Sequence, residues 1–145
     1  MKEILKTMMI LSLFLTVTGC SSDSLSGKSF GVSNVIINPM DGSDVSTDFM
    51  TTFKFNRGTV TQTNDSEISG SYTLDEDALK ITFTNDHEEL TMVFSAFSET
   101  DIRDNTYQSE LLHTDYDYDN GAVRHFEALT TLSNGAPVYF VEVDL

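Results

Sequence analysis

The strongest constraint in this chain is a period of two. In Ile68-Ser69-Gly70-Ser71-Tyr72-Thr73-Leu74, the residues Ile68, Tyr72 and Leu74 fall on one face and Ser69, Ser71 and Thr73 on the other. Leu79-Lys80-Ile81-Thr82-Phe83-Thr84 repeats the arrangement. Leu90, Met92, Phe94 and Ala96 line one face of the next run. Tyr139, Val141, Val143 and Leu145 do the same at the C-terminus, with Glu142 and Asp144 opposite. Successive side chains of a strand point to opposite faces, so this pattern predicts strands with one buried and one wet face, which is antiparallel sheet.

The connections agree. Asp75-Glu76-Asp77 and Asn85-Asp86-His87-Glu88 join strands tightly, Asn56-Arg57-Gly58 follows Thr52-Phe53-Lys54-Phe55, and Ser133-Asn134-Gly135 precedes the last strand. Asn120-Gly121 reads as a hairpin turn, because both residue types tolerate positive φ. The count comes to about eight or nine short strands, which predicts an all-β antiparallel up-and-down barrel or a small sandwich. Only Gly42 to Phe49 offers a helical turn, with Ser43 or Asp44 as its cap.

Composition narrows the partners. The 145 residues hold 8 Lys+Arg against 23 Asp+Glu, a net charge of −15, which speaks against nucleic acid because phosphate backbones are bound by clustered cations. A single cysteine rules out a disulfide framework and an all-cysteine zinc site.

That cysteine sits where it explains the N-terminus. Lys2 and Lys6 precede the uncharged run Met8 to Val17, a secretory signal helix too short to span a bilayer, which takes about 20 apolar residues. The run ends Val17-Thr18-Gly19-Cys20 and turns polar at Ser21-Ser22-Asp23-Ser24. Val-Thr-Gly-Cys resembles the bacterial lipobox. The resemblance implies cleavage after Gly19 and acylation of Cys20 with diacylglycerol and an N-acyl chain, anchoring the protein on the extracytoplasmic face of a cell membrane or outer membrane. The organisation expected is therefore a signal peptide over 1–19, a lipidated flexible tether over 20–27 and a barrel domain over 28–145, as a monomer. Removing the leader takes two basic residues and one acidic one, leaving 6 against 22 and a net −16.

A second resemblance lies in the strands. Leu25-Ser26-Gly27-Lys28-Ser29-Phe30 looks like the glycine-then-aromatic opening of lipocalin-like barrels. It is followed by Thr52-Phe53-Lys54-Phe55-Asn56-Arg57-Gly58-Thr59-Val60 and by Gly70-Ser71-Tyr72-Thr73-Leu74. This order is similar to short lipocalin-like lipoproteins, and implies their fold but no ligand.

Asp115-Tyr116-Asp117-Tyr118-Asp119-Asn120-Gly121 is the most unusual stretch. Asp115, Asp117 and Asp119 alternate as in the start of a calcium loop, but Asn120 stands where such a loop needs glycine. A hairpin turning at Asn120-Gly121 is the favoured alternative; it would pair Asp117 with Arg124 and stack Tyr116 on His125. Tyr116, Tyr118, His125 and Phe126 are the candidate ligand-binding residues of that surface. Asp86-His87-Glu88-Glu89 contains metal-binding types, but neighbours on a strand diverge, so a solvated loop is expected. His113 and His125 have no nucleophile at catalytic spacing, and no phosphate-binding glycine loop or hydrolase elbow occurs. The sequence therefore points to a binding protein rather than an enzyme. Its ligand is either a small apolar molecule among Phe30, Phe53, Phe55, Tyr72, Phe83, Phe94 and Tyr139, or a cationic peptide or protein captured at the acidic surface.

Overall fold

The computed structural model describes residues 23–34, 49–63, 68–101 and 105–145. The signal helix, Cys20 and the turn at Gly42–Asp48 lie outside them.

The chain folds as a closed antiparallel barrel of eight strands joined in sequence order. The strands are β1 (Ser29–Ser33), β2 (Thr51–Asn56), β3 (Thr59–Gln62), β4 (Ile68–Asp75), β5 (Ala78–Thr84), β6 (Glu88–Glu99), β7 (Thr106–Tyr118) and β8 (Pro137–Glu142). Closure is made by β8 against β1, with Phe140 opposite Val32 and Val141 opposite Gly31. Up-and-down connectivity gives the barrel two ends. One carries the β2–β3, β4–β5 and β6–β7 connections, the other the β5–β6 turn and the long β7–β8 connection.

The period-two pattern explains the interior. Phe53 and Phe55 of β2, Leu79, Ile81 and Phe83 of β5, and Leu90, Met92 and Phe94 of β6 are all fully buried. The rings interlock edge-to-face: Phe30 lies 5.8 Å from Phe55 and 6.5 Å from Phe140, and Phe94 lies 5.3 Å from Phe140. An eight-stranded barrel is just wide enough to be filled by side chains, and here they meet across it. At the β2–β3 hairpin, Arg57 and Gly58 have φ of 47° and 82°, the mirror-image turn that matches strand twist. Gly31 is required by close approach, since a Cβ there would lie 2.4 Å from the ring of Phe49, which covers the outside of β1.

Two bulges correct the predicted phases. At Ala96, with φ of 53°, β6 steps out of register, so Ala96 is exposed and Phe97 is buried in its place. Between Val93 and Phe94, β6 slips against β7, leaving Leu112 unpaired and 59% exposed. Ser109 and Leu111 face inward below that slip, and Thr114 and Tyr116 above it. A bulge inserts one extra residue and so flips the facing of everything beyond it. At the C-terminus the inward pair is Val138 and Phe140, not Tyr139 and Val143, and the strand ends at Glu142. The hairpin expected at Asn120-Gly121 does not form. β7 ends at Tyr118 and the chain continues as an irregular connection with one 3₁₀ turn, Glu127–Thr131.

Part of the stretch expected as a flexible tether, from residue 23 onward, is folded onto the barrel. Residues 23–27 form a turn packed on the first of the two ends, with Leu25 fully buried in the core. Gly27 N–H donates to Phe55 O at 2.9 Å, Arg57 N–H to Ser26 Oγ at 3.0 Å, and the Tyr72 hydroxyl to the Asp23 carboxylate. Leu25 carries the reason: an apolar side chain in a Ser-rich stretch has a barrel mouth to fill.

Candidate functional site

The opposite end is closed by the β7–β8 connection. Phe126 lies on Phe83, centroids 5.8 Å apart, and Leu129 and Leu132 complete the plug. This segment is fastened by one side chain, Glu88, the first residue of β6 and 4% exposed. Its carboxylate accepts from the Tyr116 hydroxyl at 2.7 Å, Asn85 Nδ2 at 2.9 Å, His125 N–H at 2.8 Å and Phe126 N–H at 3.2 Å. Among the described residues, these two N–H donations are the only hydrogen bonds that tie 120–134 to the barrel wall. The backbone bonds Asp119 N–H to His87 O and Gly135 N–H to Leu111 O bracket the segment.

Electrostatics follow from this geometry. Burial, the largest influence, pushes the Glu88 carboxyl up, but the hydrogen bonds from Tyr116, His125, Asn85 and Phe126 outweigh it and the net shift is down. Tyr116 is pushed up to about 12, first by burial and then by donating to Glu88.

Around this carboxylate lies an open groove of about 790 Å³, lined by Asn85, Asp86, His87, Asp119 to Val123 and His125. Asn85 shapes its near wall, its Oδ1 accepting from His87 N–H at 2.9 Å and Glu88 N–H at 3.0 Å, a side-chain turn of the kind Asn favours. His87 Nδ1 stands 3.3 Å from Asp119 Oδ2 across the groove. Val123, 74% exposed, is the apolar element of the far wall.

The sequence-predicted residues separate into structural and exposed groups. Tyr116 and Phe126 are used by the latch and plug. Tyr118 lies under Arg124, whose guanidinium carbon is 3.8 Å from the ring centroid. Arg124 thus meets Tyr118 and Glu127, at 3.1 Å, and not Asp117. His125 contributes its backbone to Glu88 rather than its ring to Tyr116, because residues 119–126 run over the barrel mouth instead of pairing back along β7. Asp115 and Asp117 lie on the outer face of β7, opposite Thr91 and Glu89, while Asp119 turns to His87. The three carboxylates therefore do not converge, and among the described residues no three His, Cys, Asp or Glu side chains gather as a cation site.

Glu88 is the residue the sequence reading missed as a site. One signal was available: the apolar face Leu90, Met92, Phe94, extended back one step, lands on a glutamate.

No family model, curated protein or solved structure matches this chain. The class it defines by geometry is a closed eight-stranded up-and-down β-barrel with both ends plugged by its own chain.

Proposed function

We propose that the protein is a lipid-anchored, extracytoplasmic binding protein of lipocalin-like type, without catalytic activity, that recognises a cationic peptide or protein on its rim rather than an apolar molecule inside. The observation that supports rim binding is the division of space: aromatic rings occupy the interior, while a groove of about 790 Å³ opens beside Glu88 and a smaller one of about 450 Å³ lies at the Asp23 end. That end carries exposed Asp86, Glu89, Asp115, Asp117 and Asp119. Arg124 is the one described Lys or Arg there, and it is engaged by Glu127 and Tyr118. A concave, negatively charged surface with exposed Val123 and half-buried Ala122 on one wall suits a basic partner that also offers an apolar side chain. The anchor rests on the lipobox resemblance of Val17 to Cys20.

Titration calorimetry with a short Lys/Arg-rich peptide carrying one aromatic residue tests the reading. Binding that persists at about 0.5 M salt, where the Debye length falls to a few ångströms, and weakens at least tenfold in Asp119→Asn with Val123→Ser supports it. Loss of all binding above about 0.15 M indicates general charge attraction and refutes a built site.

One observation favours the interior instead. The Oγ1 atoms of Thr51 and Thr114 are buried without a hydrogen-bond partner, and both residues face inward. A fluorescent apolar probe that binds stoichiometrically, and is lost in Thr114→Val, would move the site inside the barrel.

A further inference from the structure

We infer that the barrel stands on its Asp23 end, with that end against the lipid surface and the Glu88 groove facing away from it. This inference rests on the anchoring proposed above and assigns each end of the barrel a side.

The first ground is where the fold begins. Asp23 accepts from the Tyr72 hydroxyl and from Leu25 N–H at 3.2 Å, Ser26 N–H donates to Asp23 O at 3.1 Å, and Lys28 N–H to Leu25 O at 3.1 Å. Leu25 plugs the barrel. The turn is therefore a fixed part of the end wall, and two residues of sequence separate it from Cys20.

The second ground is length. Three residue steps from Cys20 to Asp23 reach at most about 10–11 Å when fully extended. β4, with 8 residues at about 3.3 Å each and the usual barrel tilt, spans about 20 Å along the axis. A leash half the height of the body, attached at one end of it, keeps the attached end nearest the surface.

The third ground is charge. Four of the five described Lys and Arg residues lie toward the Asp23 end or on the wall beside it. Lys28 and Arg57 border the Asp23 turn, Lys54 pairs with Ser29, and Lys80 sits opposite Thr73 near the β4–β5 turn. The Asp23 end is acidic as well, with Asp23, Asp75, Glu76, Asp77, Glu99, Asp101, Glu142 and Asp144 against those four cations, and Lys28 answers Glu142 at 3.4 Å. At the Glu88 end Asp86, Glu89, Asp115, Asp117 and Asp119 face solvent with only the engaged Arg124 beside them. An anionic headgroup layer repels that end more strongly and so turns it outward.

The test uses the full-length acylated chain in phosphatidylcholine vesicles containing phosphatidylglycerol, with one fluorophore attached through Asp75→Cys or Asn120→Cys. Both positions are exposed, and acylation consumes the thiol of Cys20. Energy transfer to a headgroup-bound acceptor is expected to place the label at 75 about 20 Å closer to the lipid than the label at 120. Inserting about twenty Gly/Ser residues between Ser22 and Asp23 is expected to erase most of that difference. Equal distances, or a closer label at 120, overturn the orientation while leaving the anchor intact. A difference that survives the long insert unchanged overturns the leash as its cause. Failure of the chain to float with the vesicles, read before any label is measured, overturns the anchor itself and the orientation with it.

Discussion

Glu88→Ala is the substitution that most directly tests how the groove end is held. It strands four donors, but not equally. Tyr116 and Asn85 can turn to water at the rim, and His125 N–H is only partly buried, whereas Phe126 N–H is buried. A buried donor left without a partner costs about 1–3 kcal/mol, and a hydrogen bond to a charged group contributes about 1.5–3 kcal/mol. Relief of the carboxylate's own burial offsets part of this, so the expected loss is about 2–4 kcal/mol, against a total stability of about 5–15 kcal/mol. For a domain of this size that lowers Tm by about 8–16 °C. Glu88→Gln keeps one acceptor oxygen and should cost about half as much.

The sign with pH is fixed by the lowered carboxyl. Its contribution is full above the unfolded value near 4.5 and is lost as pH falls through the lower folded value. The stability gap between the native chain and Glu88→Gln should therefore be constant at neutral pH and close in acid. Amide hydrogen exchange supplies the local readout, with faster exchange confined to 120–134 in Glu88→Ala. A loss under about 0.5 kcal/mol, or unchanged exchange in that segment, would refute the latch.

Other substitutions address the remaining plugs and approaches. Leu25→Ala should cost about 2–4 kcal/mol in urea denaturation, because it empties the Asp23 end; a cost near zero would return 23–27 to the status of a loose tether. Gly31→Ala should destabilise by about 1–3 kcal/mol by displacing the Phe49 ring, and the cost should shrink in the Phe49→Ala background; an unchanged cost would mean that the ring does not press on Gly31. Tyr72 and Tyr116, each pushed up to about 12 chiefly by burial, should be the last tyrosines to ionise in a spectrophotometric titration. Folding stability should fall as pH rises from about 10 to about 12, less steeply in Tyr116→Phe.

Much of the barrel was legible in the sequence because local rules decide it. Asp75 does face Ala78 across Glu76-Asp77, Asn56 does face Thr59 across Arg57-Gly58, and the alternation of β4, β5 and most of β6 names the inward side chains. What failed were the places where one residue shifts the phase. Ala96 breaks the alternation by a positive φ, which alanine seldom adopts, and Leu112 does so by slipping against β6. Asn120-Gly121 makes a turn, as its residues suggest, but turn chemistry does not dictate that a strand follows. Glu88 could not be placed as a latch because, Asn85 apart, its partners lie 28 to 38 residues away, and only the closed barrel brings them together.

The pairing of β8 with β1 also limits how this protein can associate with others. Each described strand has a bonded neighbour on both sides, but β8 meets β7 only over Thr106–Glu110, so the edge of β7 from Leu112 to Tyr118 has no strand beside it. At the closure itself, β1 and β8 are paired on both sides and offer an added strand no edge.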